Sequence, residues 1–249
     1  CAAESGGVWL EVDRYHLTNP VVYLAGKKVV KVFEDTAGTF WFCTADEGVY
    51  ALHQNPAVLY RRDFGFVSPN IRTLARNEAG QLFAGDDVGT VHVLSGNKLT
   101  HTVATGAVDG YNQLRQIIPV GKGAFWFGTD EELGYYSHNF SKKTTYESNV
   151  SIKGLLLKGD TMWYASATLL AYQTPTISRG NRVQVRFTAI DEDGEGVVWA
   201  GQVDGLFSRR DNFQYNWGLK FPELKSRIIK IRKAAGGNLW VVTPNSGLL

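Results

Sequence analysis

The stretch Val32-Phe33-Glu34-Asp35-Thr36-Ala37-Gly38-Thr39-Phe40-Trp41-Phe42-Cys43-Thr44 decides the fold, because its pattern returns along the chain. Two spaced apolar residues are followed by a polar pair, a glycine, and an aromatic inside a short apolar run. A second clear copy reads Phe187-Thr188-Ala189-Ile190-Asp191-Glu192-Asp193-Gly194 and continues into Val198-Trp199-Ala200-Gly201. Aligned on the aromatic, the copies are anchored at Trp41, Phe83, Trp126, Trp163, Trp199 and Trp240, spaced by 42, 43, 37, 36 and 41 residues. A glycine and a strand-forming pair follow most anchors: Gly48-Val49-Tyr50, Gly89-Thr90-Val91, Gly134-Tyr135-Tyr136, Gly205-Leu206-Phe207 and Gly247-Leu248-Leu249. The copy around Thr168-Leu169-Leu170 lacks the glycine. Self-similarity at such a period marks a repeat architecture.

Each period has room for four short strands. In the second they read Ile71 to Arg76, Gln81 to Ala84, Thr90 to Leu94 and Leu99 to Thr105. Turn signals separate them: Asn77-Glu78-Ala79-Gly80, Asp86-Asp87-Val88-Gly89 and Ser95-Gly96-Asn97-Lys98. No segment sustains a 3.6-residue apolar period between caps, so no long helix is predicted. Four-stranded units repeated radially make a β-propeller, and an all-β propeller of about six blades is the predicted fold. The chain opens in the phase of a third strand (Gly7 to Val12) and closes after two strands, Arg227 to Arg232 and Asn238 to Val242. One closing blade is therefore expected to be shared between the N- and C-termini, which removes the open edge. Seven blades are expected if the chain is a fragment of a longer array. On this reading residues 1–249 form a single propeller domain. The six anchors are expected to be structural, each filling the wedge between neighbouring blades and hiding about 150–250 Å².

Composition agrees. Apolar residues at 44% and charged residues at 20% exclude a disordered or fibrous chain, and 249 residues can bury a sizeable core. Twenty-seven glycines against seven prolines, with 12% aromatics, lean toward an all-β chain rich in tight turns. A net charge of +2 and the lack of a basic track with interleaved aromatics argue against a nucleic-acid partner. No apolar run approaches the ~18 residues of a membrane span. Cys1 and Cys43 are too few for a disulfide scaffold. Cys43, beside Phe40-Trp41-Phe42, is expected to be a small buried hydrophobe. Cys1 would suit a lipid anchor on a processed chain, and equally an arbitrary boundary.

The repeat resembles the two-component-regulator propeller repeat, whose pattern is roughly apolar-x-x-apolar-x-x-Asp-x-x-Gly-x-apolar-Trp-apolar-Gly-Thr-x-x-Gly-Leu. Val29 to Leu52, Gln116 to Tyr136 and Thr188 to Ser208 match it well. Leu74 to Leu94 matches with Phe83 for the Trp and Asp86 for the Thr, and Ile229 to Leu249 with Val242-Thr243 for Gly-Thr. Ile152 to Tyr172 matches in its Trp and strand pattern. The resemblance implies the sensor region of a bacterial extracytoplasmic signalling protein, periplasmic or at the cell surface, with polysaccharide fragments as ligands. The chain departs from the family in showing no membrane span, kinase or receiver. The same repeats look similar to parts of the propeller lyase that inactivates streptogramin antibiotics, though a shared fold does not carry chemistry across.

No catalytic constellation is legible. The histidines, His16, His53, His92, His101 and His138, fall in no metal-ligand spacing, and no Gly-x-Ser-x-Gly or phosphate loop occurs. The run Asp191-Glu192-Asp193-Gly194-Glu195-Gly196 invites a Ca²⁺ reading, but it lacks the twelve-residue ligand spacing and sits at the repeat's ordinary turn. Neither a cofactor nor a metal is expected. The loops between second and third strands hold Asp46, Glu47, Asp86, Asp87, Asp130, Glu131, Glu132 and Asp204, eight of the 24 acids, and no Lys or Arg. In a propeller these loops open on one face, where like charges would attract a cation or accept hydrogen bonds from sugar hydroxyls. Asp also favours turns by bonding its own backbone. The fourth-to-first-strand loops add Phe66, Tyr111 and Phe221, and aromatics beside acids suit a sugar-binding surface. The expected partner is a small molecule or glycan. A protein-interaction scaffold and a propeller lyase or glycan-active enzyme are the alternatives, the latter drawing on the same carboxylates.

Overall fold

The repeat's spelling has a hydrogen-bonding reason, visible in a computed structural model that describes residues 2–3, 6–13, 16–36, 38–52, 57–60, 62–106, 112–173 and 186–249. Asp35 N–H donates to Thr39 O and Gly38 N–H donates to Asp35 O, each at 3.0 Å, which closes the turn after the first strand. Gly38 takes φ 77° there, a conformation that side chains resist. The Asp35 carboxylate accepts from Thr39 N–H at 3.0 Å and from the Trp41 indole N–H at 3.2 Å. The same staple recurs at Asp193. One oxygen accepts from Glu195 and Val197 N–H, each at 2.9 Å, and the other from the Trp199 indole at 2.8 Å. Where the anchor is Phe83, which has no indole N–H, the turn opens on Asn77, whose amide pairs with Gln81.

Among the described residues, the strands form seven sheets, each a meander in chain order. The first holds β1 (Ala2–Ala3), β2 (Gly6–Asp13) and β3 (His16–Tyr23). The second holds β4 (Val29–Glu34), β5 (Phe40–Thr44), β6 (Val49–Leu52) and β7 (Ala57–Tyr60). The third holds β8 (Ile71–Arg76), β9 (Leu82–Asp86), β10 (Thr90–Ser95) and β11 (Lys98–Ala104), close to the strands read from the sequence. The fourth holds β12 (Gln116–Val120), β13 (Ala124–Gly128), β14 (Glu132–Ser137) and β15 (Lys142–Ser148). The fifth holds β16 (Ile152–Lys158), β17 (Thr161–Ser166) and β18 (Leu170–Gln173). The sixth holds β19 (Phe187–Glu192), β20 (Val198–Gln202) and β21 (Leu206–Ser208), and the seventh β22 (Lys230–Lys233), β23 (Leu239–Thr243) and β24 (Gly247–Leu248).

The expected blade shared by the two termini is not what the described strands form. Strand β2 pairs with β1 on one edge and β3 on the other, and β23 pairs with β22 and β24. The described strands of the two termini thus lie in two separate sheets, β1-β2-β3 and β22-β23-β24.

The chain divides into two compact units, residues 1–127 with 136–143, and residues 128–135 with 144–249. In the first, Trp41 and Cys43 of β5 pack with Ile71, Leu74 and Leu82 of the third sheet. Phe83, Val91 and Val93 of the third sheet pack in turn with Ile117, Phe125 and Phe127. In the second unit, Trp163 and Ala165 of β17 pack with Phe187, Ile190 and Val198 of the sixth sheet. Trp199 and Leu206 pack with Ile231 and Val241 of the seventh.

Two residues beyond each of these anchors, on the same side of its strand, stands a small residue: Cys43, Gly85, Ala165 or Gly201. A Cβ at Gly201 would lie 2.5 Å from Ile228 Cβ, and one at Gly85 would lie 2.9 Å from Ile117 Cδ1. Sheets packed face to face while splaying apart need a large side chain where they diverge and almost none where they converge. The Trp-x-Gly of the repeat spells that taper. Burial of the anchors is uneven, however. Trp41, Phe83 and Trp163 are buried, and Trp126 and Trp199 are half-buried. Trp240 is 51% exposed, so it is not the buried wedge that its place in the repeat predicts. Its turn opens on Ala234 in place of an aspartate, and Val242 replaces the small residue.

Candidate functional site

Most of the loop acids are part of the scaffold. At the end of β5, Thr44 Oγ1 donates to Gly48 O at 2.9 Å and accepts from Glu47 N–H at 3.0 Å. At the end of β13, Thr129 Oγ1 accepts from the N–H groups of Glu131 and Glu132. Asp86 does the same work with a carboxylate, taking Val88 and Thr90 N–H on Oδ1. It is buried, and its Oδ2 lies 3.2 Å from Nε2 of the buried His92. Asp87 is buried as well, accepting from Ser68 Oγ at 2.6 Å and Asn70 Nδ2 at 2.8 Å. Glu47 holds Lys27 Nζ at 2.7 Å and the Tyr50 hydroxyl at 2.6 Å. Asp130 accepts from Ser151 Oγ at 2.9 Å with Lys153 Nζ 3.6 Å away, and Glu132 accepts from Thr145 Oγ1. Asp46, Glu131 and Asp204 are exposed. Phe66 is buried and stacked on the His92 ring, centroids 4.3 Å apart. Tyr111 and Cys1 lie outside the described residues. Among the described residues no three His, Cys, Asp or Glu side chains are placed to hold a metal ion, and no helix is long and apolar enough to cross a membrane.

A cleft forms in the second unit, around Trp199 and Phe221. After β21 the chain leaves the strand pattern. Residues 209–225 make three short 3₁₀ turns, Arg209–Asp211, Trp217–Leu219 and Pro222–Leu224, where the repeat calls for a fourth strand. Asn216 caps the second, accepting from Gly218 N–H at 2.9 Å and donating to Asp204 O at 3.0 Å. Pro222 opens the third, its ring presetting the backbone angle. This segment lays Trp217 beside Trp199, ring centroids 5.3 Å apart, and stacks Phe221 on Trp217 at 6.4 Å and 12°. Tyr215 meets Trp217 edge-on at 5.5 Å.

Trp199, Trp217 and Phe221 line a cleft of about 830 Å³, walled otherwise by Leu206, Leu224, Leu239 and the backbone of residues 236–237. Its polar groups are Asp193, Glu195, Arg210 and Asn238. Burial pushes the Asp193 carboxyl up. The Trp199 indole, the Val197 and Glu195 N–H groups and the Arg210 guanidinium more than offset this and hold it below its ordinary 3.8. Arg210 bonds Glu195 and lies 4.0 Å from Asp193. Lys220 Nζ sits 5.3 Å from the Phe221 ring centroid and 5.9 Å from that of Trp217, a cation over π faces. Aromatic walls with a few placed polar groups are the usual make-up of a small-molecule site. One signal for it was in the sequence: the aromatics of Tyr215-Asn216-Trp217-Gly218-Leu219-Lys220-Phe221 crowd into a stretch where strand alternation fails.

No family model matches the chain, and no curated protein does. Solved structures do. The WD40 β-propeller domain of Doa1 overlays with TM-score 0.72 at 11% identity, over 96% of this chain and 83% of that one. The fold is a β-propeller. BBS1N, in its complex with ARL6DN, gives 0.69 at 11% identity over 94% of this propeller and 79% of that chain. Virginiamycin B lyase from Staphylococcus aureus gives 0.66 at 12% identity, over 88% and 82%. At such identities the likeness establishes architecture, and a site has to be argued from this chain's own residues.

Proposed function

We propose that this propeller is a recognition module and not an enzyme: the ligand-binding part of an extracytoplasmic bacterial sensor, taking an oligosaccharide into the cleft of Trp199, Trp217 and Phe221. The aromatic cleft is the observation that carries the reading. A sugar ring presents C–H faces that stack on aromatic rings and hydroxyl edges that need donors and acceptors. Trp217 and Phe221 supply the first, and Arg210, Glu195 and Asn238 the second. The repeat's resemblance to two-component-regulator propellers supports the sensor context and a place outside the cytoplasm. Recognition is favoured over catalysis by how the cleft's carboxylates are held. Asp193 accepts from three N–H donors, which favours its anion over an acid, and Glu195 is bonded to Arg210.

A thermal-shift panel of oligosaccharides tests this. A ligand at 100 times its Kd adds about 2.7 kcal/mol. That is a shift of roughly 5–10 °C for a domain of this size. The expected result is a shift in the wild type that disappears in Trp217→Ala and Phe221→Ala, both still melting cooperatively. A flat panel, or a shift that survives both substitutions, overturns the reading. Turnover of a bound sugar would replace it with an enzyme.

A further inference from the structure

The charges around the cleft narrow the ligand class; the inference rests on the oligosaccharide reading above. Arg210 lies in the 3₁₀ turn after β21 and bridges to Glu195, with the two side chains 51% and 74% exposed. An ion pair this exposed contributes about 0–1 kcal/mol, so it opens at little cost. Asp193 cannot follow Arg210 outward. Its side chain is 15% exposed, and both its oxygens are engaged by Glu195 N–H, Val197 N–H and the Trp199 indole. Arg210 is thus a cation at the wall of an aromatic cleft, paired with the exposed Glu195 carboxylate and 4.0 Å from the fixed Asp193 carboxylate. Lys220 is not part of the lining, but its Nζ lies over the Trp217 and Phe221 rings, 5.9 and 5.3 Å from their centroids. A guanidinium fork matches a carboxylate with two parallel hydrogen bonds, which a hydroxyl cannot reproduce.

We propose that the cleft selects an oligosaccharide bearing carboxylates, a uronic-acid oligomer, whose carboxylate displaces Glu195 from Arg210 while its ring stacks on Trp217 and Phe221. Glu195 is then an internal competitor, and a neutral sugar leaves the Arg210–Glu195 pair closed.

Calorimetry with a galacturonic-acid trimer and its fully methyl-esterified form isolates the charge on one carbohydrate frame. The acid should bind about tenfold tighter than the ester, the size of one charge-assisted hydrogen bond, and the gap should narrow as salt is raised. Arg210→Met should bring acid and ester level. Glu195→Gln should tighten the acid several-fold and leave the ester unchanged, which a merely structural residue would not do. Equal binding of acid and ester overturns the proposal while the oligosaccharide reading stands. So does binding of neutral sugars only. Weaker acid binding in Glu195→Gln overturns the competitor role. If neither the uronides nor any neutral oligosaccharide binds, both readings fall. Thermal melts of the two variants show that they are folded before either is scored.

Discussion

Alanine at position 201 would add one methyl group where the sixth and seventh sheets converge. Its Cβ would sit 2.5 Å from Ile228 Cβ and 2.7 Å from its Cγ2. Ile228 is fully buried and cannot retreat. Its N–H donates to Gln202 O at 2.9 Å and its carbonyl accepts from the Thr188 hydroxyl at 2.6 Å, so its backbone is tied on both sides. The contacting atom is a branched Cβ, not the end of a flexible side chain, and the sheets must separate to admit the methyl. Overpacking of this kind costs about 1–3 kcal/mol. For a domain of this size each kcal/mol moves the Tm by about 2–4 °C, so a fall of roughly 2–12 °C is expected. Alanine is otherwise the better strand residue, which makes any loss a packing loss. Gly236→Ala is the control, since a Cβ there meets nothing within 4 Å. It should be neutral or stabilise by up to about 1 kcal/mol. Urea unfolding followed by tryptophan fluorescence, with calorimetric melts alongside, reads both. Adding Ile228→Ala to Gly201→Ala should cost less than the sum of the two single changes, because the truncation makes room for the methyl. A Gly201→Ala variant that melts with the wild type or matches Gly236→Ala, or a double variant that is additive, would show that the sheets do not converge on this position.

Other outcomes follow from the same geometry. Trp163→Ala, at a buried anchor, should destabilise by about 3–5 kcal/mol. Trp240→Ala, half in solvent, should stay within about 0.5 kcal/mol, and equal losses in the two would show that the Trp240 face is covered. Burial pushes the Cys43 thiol up to about 12, against the pull of Lys31. Iodoacetamide should therefore leave Cys43 unlabelled in the folded protein and modify it on unfolding; mass spectrometry of the native digest decides. Asp193 has a folded pKa below its unfolded one, so it contributes stability above the ordinary carboxylate value of 3.8, and that contribution is lost as pH falls through the lower folded value. Asp193→Asn should lower the urea midpoint near pH 7 and match the wild type near about pH 2. A gap of equal size at both pH values would disprove the linkage.

The parts of the fold legible in the sequence are those whose bonds close within a few residues. Asp35 and Asp193 reach their turn N–H groups and their tryptophans within six positions, so the Asp-x-x-Gly…Trp pattern is visible in one dimension. Thr44 and Thr129 cap their loops over three or four. The loop acids were harder to read. Asp86 and Asp204 occupy equivalent loops, yet one is buried against His92 and the other exposed, because Asp86 takes the capping role that threonine plays elsewhere. Phe66 was read as a candidate for ligand stacking and is instead stacked on His92, a partner 26 positions away.

The sequence alone therefore determined the strand meander, its turns, and the alternation of large and small residues that lets sheets pack in a tapering series, since each is written in local spacing. Tertiary structure decided the rest. It set which anchors are covered, because that depends on whether another sheet lies against the face. It placed the described strands of the two ends in separate sheets, because strand pairing depends on which segments meet in space. It also produced the cleft, because Trp199, Trp217, Phe221, Arg210 and Glu195 converge only when residues 209–225 fold in place of a fourth strand.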